Sequence, residues 1–162
     1  LFPLVGCGAD APVQDDSSLP QQEQQDAQNA PSEDADTLSD DDASAPQIDE
    51  DGSYTTKDDV ALYIHSYGHL PPNFVTKDEA RAAGWSGGSL EKCLPGMCIG
   101  GSRFGNYEGL LSEADGRTYT ECDIDTLGAD SRGAKRIVFS NDGLIYYTED
   151  HYKSFELLYG EE

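Results

Sequence analysis

The spacing of apolar residues changes along this chain. Between Tyr54 and Pro95 they recur three to four residues apart, the period of an amphipathic helix, and from Ile99 onward they alternate with polar residues, the period of a strand. Helices followed by consecutive strands are typical of an α+β domain. We therefore expect N-terminal helices packed on a multi-stranded antiparallel β-sheet.

Capping and turn residues predict where the elements begin and end. Thr56 caps a predicted helix of about 56–67, which Gly68 ends, and the capping box Thr76-Lys77-Asp78-Glu79 opens a short second helix. A third helical turn is expected near Ser89–Cys93. Five strands are predicted, at Ile99–Phe104, Arg117–Ile124, Arg136–Ser140, Gly143–Thr148 and Ser154–Leu158.

Charge divides the chain into two parts. The formal net charge is −22, but residues 1–53 hold 14 of the 32 acids and no Lys or Arg, which leaves 18 acids and 10 bases, or −8, from residue 54 onward. Residues 8–53 are rich in Asp, Gln, Ser and Pro, with too few apolar side chains to offset the entropy of ordering a backbone. We predict an acidic disordered linker at 8–53 and one compact domain at 54–162.

The first seven residues carry a separate signal. The segment LFPLVGC is apolar up to a cysteine and resembles the end of a bacterial lipoprotein signal peptide, with Cys7 as the lipidated residue. An ordinary secretion remnant with an incidental cysteine is the alternative. The acidic segment that follows favours lipidation, because an anchored domain needs a tether. We expect an exported protein, either extracellular or lipid-anchored at the cell surface.

Three cysteines lie in the predicted domain. Cys93 and Cys98 flank Leu-Pro-Gly-Met, and export would place them where thiols oxidise, so a disulfide closing this loop is one expectation. Cys122 is then a buried free thiol, or it replaces one member of that pair, and spacing does not choose between these pairings. The three His are far from the cysteines in sequence and no Cys-x-x-Cys pair appears, so we predict no metal and no cofactor.

The candidate chemistry lies in the predicted strands of the last third. Glu121, Arg132, Arg136 and His151 offer a carboxylate to accept a proton, an imidazole to donate one, and two guanidinium groups to hold a phosphate. That set suffices for in-line cleavage of an RNA phosphodiester. Taken singly, such a histidine is more often a surface residue, and Glu121 and the arginines more often form a solvated cross-strand ion pair. Asp123, two residues after Glu121, shares its strand face and can orient the arginines.

Four blocks of the sequence resemble the barnase-like bacterial guanyl-preferring ribonucleases, and the similarity covers essentially all of residues 54–160. The blocks are DDVALYIHSYGHLPPNFVTKDEARAAGW at 58–85, PGMCIGGSRFGNYEGLL at 95–111, GRTYTECDI at 116–124 and RIVFSNDGLIYYTEDHYKSFELL at 136–158. The resemblance implies the microbial ribonuclease fold and metal-independent cleavage of RNA.

The resemblance also implies a role for each matching residue. Glu121 matches the general base, which takes the proton of the ribose 2′-hydroxyl, and His151 matches the general acid, which protonates the departing 5′-oxygen. A 2′,3′-cyclic phosphate forms and is then hydrolysed to a 3′-phosphate with the two roles reversed. The family's phosphate-binding groups match Lys77, Arg132 and Arg136, and Tyr152 resembles a further phosphate contact.

Base preference is expected to come from one loop. Phe104, Asn106, Tyr107 and Glu108 match the family's base-recognition loop. A carboxylate at Glu108 can accept the N1 and N2 protons of guanine while backbone N–H groups near Asn106 and Tyr107 donate to O6, a pattern that adenine cannot satisfy. The loop departs from the family at Tyr107, where barnase has an arginine, and at Gly105, where it has a serine. A tyrosine can stack on the base, but one positive charge is lost.

We expect an extracellular endoribonuclease that cleaves single-stranded RNA after guanine and acts as a monomer. One alternative is a secreted antibacterial toxin with a barstar-type immunity partner; the other is a non-catalytic RNA-binding relative. A lipid anchor fits a retained scavenging nuclease better than a delivered toxin, and none of the matched catalytic positions is lost. The resemblance implies a barstar-like protein inhibitor, because premature activity in the producing cytosol would be lethal.

Overall fold

The computed structural model describes residues 47–162. The predicted lipidation site Cys7 and residues 8–46 of the predicted linker lie outside this range. The elements are α1 (Lys57–Tyr67), β1 (Phe74–Val75), α2 (Lys77–Ala82), β2 (Cys98–Phe104), β3 (Tyr119–Asp123), β4 (Arg136–Ser140), β5 (Ile145–Thr148) and β6 (Glu156–Tyr159). The strands lie side by side in chain order. The predicted α+β class is therefore confirmed.

Both predicted helix caps are present. The Thr56 hydroxyl accepts a hydrogen bond from the Asp59 N–H at the start of α1, and Gly68 ends that helix in the left-handed region with φ 75°. Thr76 forms the reciprocal capping box with Glu79 at the start of α2. Caps of this kind stabilise a helix by about 1 kcal/mol each. The predicted third helical turn is a single turn, in which the Leu94 N–H donates to the Leu90 carbonyl.

The sheet is antiparallel except at one edge. β2 to β6 form antiparallel ladders, whereas β1 pairs with the start of β2 in parallel, Phe74 opposite Cys98 and Val75 opposite Ile99. The sequence did not predict β1. A strand of two residues is too short to show an alternating pattern, so its position is set by pairing rather than by local sequence.

The sheet has a helix face and an open face. Because side chains alternate along a strand, Cys122 and Ile137 lie on the face that α1 covers, while Glu121 and Val138 lie on the other. The helix-face cluster comprises Val60, Ala61, Ile64, Cys122, Ile124, Ile137 and Ile145. The open-face cluster comprises Leu111, Tyr119, Val138, Leu144 and Tyr146. Cys122 thus points away from Glu121, as the sequence predicts.

Cys93 and Cys98, one of the pairings that the sequence leaves open, are not joined by a disulfide in this structure. Cys93, Cys98 and Cys122 are all free thiols. Cys98 is buried in β2, where its sulfur receives the Asn73 side-chain amide at 3.8 Å. Cys93 instead lies in the turn before β2, and its thiol donates to the Leu90 carbonyl at 3.6 Å. The two sulfurs point to different partners, which nearness in sequence does not reveal.

Residues just before Tyr54, which the sequence assigns to the linker, contact α1. The Tyr63 hydroxyl donates to the Glu50 carbonyl at 2.7 Å, and the Tyr67 hydroxyl donates to the Ile48 carbonyl at 2.6 Å. This short segment therefore lies on the helix side of the sheet. Within residues 47–162, none of the helices is both long and apolar enough to cross a membrane.

Candidate active site

β3 places two carboxylates on the open face of the sheet. Glu121 pairs with Ser102 of β2 on one side and with Val138 of β4 on the other, and Asp123 pairs with Arg136. The β2 ladder is interrupted by a bulge at Gly101, whose φ of 95° favours glycine. The side chains of Glu121 and Asp123 therefore point to the same side, as their spacing of two predicts.

Glu121 is a buried carboxylate with two donors. It is 9% exposed, and Lys77 Nζ donates to its Oε1 at 2.8 Å. The Tyr152 hydroxyl donates to Oε2. Burial raises the pKa of Glu121, but the hydrogen bonds from Lys77 and Tyr152 and the positive charges of Lys77 and Arg136 outweigh it and lower the pKa. The side chain is therefore held as a carboxylate, the form that a general base requires.

Asp123 forms ion pairs with both predicted arginines. Its side chain is almost fully buried, and it forms a bidentate pair with Arg132, at 2.7 Å to Nε and 2.8 Å to Nη2. Arg136 Nε lies 3.0 Å from Asp123 Oδ1, an ion pair whose angle does not make a hydrogen bond. The Arg136 Nη1 group donates to the Lys135 and Arg132 carbonyls. The orienting role predicted for Asp123 thus has a direct geometric basis.

His151 lies in the turn that follows β5. His151 and Tyr152 both have positive φ, 59° and 72°, a conformation that side chains rarely adopt. Two residues hold the turn: Thr148 Oγ1 accepts from the Tyr152 N–H at 3.0 Å, and Asp150 accepts from Thr148, Lys153 and Ser154. The His151 ring is exposed to solvent and lies 4.7 Å, centroid to centroid, from the Tyr152 ring.

Tyr152 links the predicted base and the predicted acid. Its ring lies beside His151 and 5.1 Å from the Phe104 ring, while its hydroxyl reaches Glu121. Burial and the negative charge of Glu121 raise the pKa of Tyr152, so its hydroxyl keeps its proton as a donor. Sequence resemblance made Tyr152 a phosphate contact, whereas in the structure its closest polar partner is Glu121.

The predicted base-recognition loop is closed by Asn106. The Asn106 amide donates to the Leu111 carbonyl at 3.0 Å, and its oxygen accepts from the Leu111 N–H at 3.0 Å. The Asn106 side chain is therefore committed to the loop and is not free to bind a base. Within the described residues, the backbone N–H groups of Asn106, Tyr107 and Glu108 have no hydrogen-bond acceptor.

A cleft of about 620 Å³ joins this loop to the His151 turn. Phe104, Glu108, His151 and Tyr152 all line it. Its volume lies in the range of sites that hold a drug-sized ligand. The predicted base-reading residues and the predicted general acid thus share one concave surface, although they are more than 40 residues apart in the chain.

Sequence reasoning missed several supporting residues. The guanidinium carbon of Arg132 lies 5.8 Å from the centroid of the Trp85 ring, within the range of a cation–π contact. Thr148 and Asp150 hold the His151 turn. Asp150 is itself a turn-forming residue type, a signal that could have been recognised. Across residues 47–162, no three His, Cys, Asp or Glu side chains are grouped so as to hold a metal ion.

Comparison with known proteins adds to the geometry. A family model described as ribonuclease matches residues 55–159. A ribonuclease from Heyndrickxia coagulans is 48% identical over 102 residues, which cover 62% of this chain and 93% of that protein. A ribonuclease from Bacillus intermedius is also 48% identical over 102 residues, which cover 62% of each chain. The guanyl-specific ribonuclease St of Saccharopolyspora erythraea is 44% identical over 57 residues, 35% of this chain and 56% of that protein.

Proposed function

The chain belongs to the ribonuclease family, and we propose that it is an endoribonuclease that cleaves single-stranded RNA after guanine. The reaction proceeds by transesterification to a 2′,3′-cyclic phosphate and then by hydrolysis to a 3′-phosphate. One observation carries the proposal. Tyr152 donates a hydrogen bond to the ionised Glu121 and packs beside the exposed His151 ring. His151 and Tyr152 line the same cleft as Glu108.

Glu121 acts as the general base. Each of its oxygens accepts one hydrogen bond from Lys77 or Tyr152, and a carboxylate oxygen has a second lone pair for the ribose 2′-hydroxyl. The lowered pKa keeps the base ionised at neutral pH. His151, whose ring is exposed, acts as the general acid towards the departing 5′-oxygen and then activates water in the second step.

Arg132, Arg136 and Lys77 supply positive charge to the phosphate. Asp123 holds the two arginines, so they are fixed before substrate binds and need little reorganisation as charge develops. Guanidinium groups suit this task because they stay protonated and can bind two oxygens at once. With a net charge of −8 from residue 54 onward, attraction for RNA depends on this local cluster.

Guanine preference is assigned to the loop at 104–108. The exposed Glu108 carboxylate accepts the N1 and N2 protons of guanine, and the free backbone N–H groups of Asn106 and Tyr107 donate to O6. Adenine carries a donor where guanine has O6 and lacks the N1 proton, so it leaves these groups unpaired. The role of Asn106 is restricted to its backbone, because its side chain closes the loop.

A pair of oligoribonucleotides tests the proposal. The two have the same sequence with a single G, which is a guanosine in the first oligonucleotide and a 2′-deoxyguanosine in the second. In the presence of EDTA we expect the first to be cut after the guanosine, giving first a cyclic phosphate and then a 3′-phosphate, and the second to stay intact. Cutting at all four bases alike, or cutting of the deoxy strand, would contradict the proposal.

Export, and anchoring through a lipid at Cys7, are proposed from the sequence alone, because Cys7 lies outside the described residues. The apolar LVGC segment and the acidic residues after it support this location. Membrane fractionation tests it: the Cys7→Ala protein should move from the membrane to the soluble fraction, and an unchanged distribution would refute the anchor. A barstar-like inhibitor is also a proposal, which co-purification from the producing organism can test. A monomeric state is a further proposal, which sedimentation can test.

A further inference from the structure

The segment of residues 124–135, which we call the arginine loop, joins β3 to β4 and contacts three of the proposed catalytic residues. Arg132 lies within it. The Arg132 carbonyl accepts a hydrogen bond from Arg136 Nη1 at 3.2 Å, and the Ala134 carbonyl accepts one from the His151 N–H at 3.2 Å. The position of this loop therefore affects both guanidinium groups and the proposed general acid together.

The arginine loop contains no helix and no strand. Its ends meet where the Ile124 N–H donates to the Lys135 carbonyl at 3.1 Å, and one turn forms where the Ala129 N–H donates to the Thr126 carbonyl at 3.1 Å. A segment with so few internal hydrogen bonds opens easily unless the rest of the fold holds it. The contacts between the loop and the rest of the domain therefore decide how well it is fixed.

Thr55, the half-buried residue just before the cap of α1, makes three such contacts. Its carbonyl accepts a hydrogen bond from the Asp125 N–H at 2.7 Å. Its hydroxyl oxygen accepts from the Thr126 N–H at 3.1 Å and from the Leu127 N–H at 3.3 Å. One residue thus satisfies three consecutive backbone donors at the start of the arginine loop.

Glu91 makes the next contact along the loop. It lies in the turn before β2, and its Oε1 accepts a hydrogen bond from the Gly128 N–H at 2.8 Å. Thr55 and Glu91 together accept from four consecutive N–H groups, those of residues 125–128. Neither residue lies in a segment that carries a proposed catalytic or base-reading side chain, so both hold the loop from outside the active site.

We infer that Thr55 and Glu91 are positioning residues, which fix the arginine loop and through it Arg132 and His151. The inference rests on the proposed function, since it concerns the residues of that active site. Groups that stabilise charge or transfer a proton in the transition state act best when they are fixed beforehand. Loss of the two contacts should therefore lower kcat. KM should change little, because neither residue contacts the base-recognition loop at 104–108.

Two pairs of variants test the inference. Thr55→Val removes the hydroxyl at nearly constant shape and Thr55→Ser keeps it, while Glu91→Ala removes the acceptor and Glu91→Gln keeps an amide oxygen. Thr55→Val and Glu91→Ala should each lower kcat for a GpA substrate by about tenfold to 10²-fold, because small misplacements of catalytic groups have effects of this size. Thr55→Ser and Glu91→Gln should stay close to the parent.

Thr56→Val is the matched control, because it removes the neighbouring hydroxyl. The Thr56 hydroxyl caps α1 and does not contact the arginine loop, so its loss should lower stability and leave kcat unchanged. A kcat loss in Thr56→Val as large as in Thr55→Val would overturn the inference, because the effect would then follow from reduced stability alone.

Amide hydrogen exchange gives a readout that does not depend on activity. The His151 N–H should lose protection in Thr55→Val and Glu91→Ala and keep it in Thr56→Val, because only the first two release the loop that carries the Ala134 carbonyl. Unchanged protection of the His151 N–H, or an equal kcat loss in Glu91→Ala and Glu91→Gln, would overturn the inference while guanine-specific cleavage stands. Absence of guanine-specific cleavage in the parent would instead refute the proposed function.

Discussion

Lys77 Nζ lies 2.8 Å from Glu121 Oε1, although the two residues are 44 positions apart in the chain. Lys77 is the first residue of α2, where a cation is unfavourable to the helix dipole. Its position therefore serves Glu121 rather than the helix. The Lys77 and Glu121 side chains are 30% and 12% exposed, and their ion pair is one of the causes that lower the pKa of Glu121 against the opposing effect of burial.

Replacing Lys77 with Ala should move the acid limb of the pH profile of kcat/KM to higher pH. Without the hydrogen bond and charge of Lys77, burial raises the pKa of Glu121 above its value in the parent. The general base is then protonated at a higher pH. In the parent, ionised Glu121 stabilises the fold above its unfolded pKa of about 4.3, and this contribution is lost as pH falls through the lower folded value. Lys92→Ala, an exposed lysine without an ion pair in the described region, is the control; an identical acid limb in Lys77→Ala would contradict the assignment.

Replacing Asp123 with Ala should destabilise the protein by about 3–5 kcal/mol, because it leaves the buried Arg136 and half-buried Arg132 without their carboxylate. Urea unfolding measures the change in the free energy of unfolding. Asp142→Ala is the matched control: its pair with Arg117 is more exposed, and such pairs contribute about 0–1 kcal/mol. Equal losses in the two variants would show that Asp123 does not organise a buried cluster.

Replacing Asp150 with Ala should lower kcat strongly and change the free energy of unfolding only a little. The Asp150 carboxylate accepts hydrogen bonds from Ser154, Thr148 and Lys153, which lower its pKa to about 2. Without these hydrogen bonds the turn at His151 leaves its positive-φ conformation and the imidazole moves. A misplaced general acid can cost about 10²-fold in rate. Glu149→Ala, which removes an exposed neighbouring acid, should keep kcat; a similar loss there would point to charge rather than turn geometry.

The free cysteines give a prediction of thiol reactivity. Burial raises the pKa of the Cys122 thiol well above its usual value, so little thiolate forms. With a thiol reagent under native conditions, we expect Cys93, which is only partly buried, to react first, and Cys98 and Cys122 to react only on unfolding. Mass spectrometry of the labelled peptides identifies the order. A Cys93–Cys98 disulfide in the purified protein, which would leave Cys93 unlabelled, would contradict this order.

The parts of the fold that depend on neighbours in sequence could be predicted. Thr56 and Thr76 cap their helices because each hydroxyl accepts a hydrogen bond from the backbone N–H only three residues further on. Glu121 and Asp123 share a face because side chains alternate along a strand. The match of Lys77, Arg132, Arg136 and His151 to known ribonucleases came from resemblance, not from local physics.

Contacts between distant segments could not be predicted. The parallel pairing of Phe74 with Cys98 depends on how two loops meet, and the direction of the Cys93 and Cys98 side chains depends on packing that spacing does not encode. The same holds for the Tyr152 hydroxyl on Glu121, which joins residues 31 positions apart. The Asn106 side chain forms hydrogen bonds with the backbone only five residues away. This role could still not be predicted, because an Asn at a turn is equally compatible with base binding.

Glu121 is proposed as the general base and His151 as the general acid of a guanine-directed cleavage. The most direct measurement compares Glu121→Ala and His151→Ala on a guanosine phosphodiester with a nucleoside leaving group and on one with a good aryl leaving group. Glu121→Ala should lose about 10²- to 10⁴-fold in activity on both substrates, while His151→Ala should lose a similar factor only where the leaving oxygen needs a proton. Full activity of either variant on the nucleoside substrate, or equal losses by His151→Ala on both substrates, would contradict these roles.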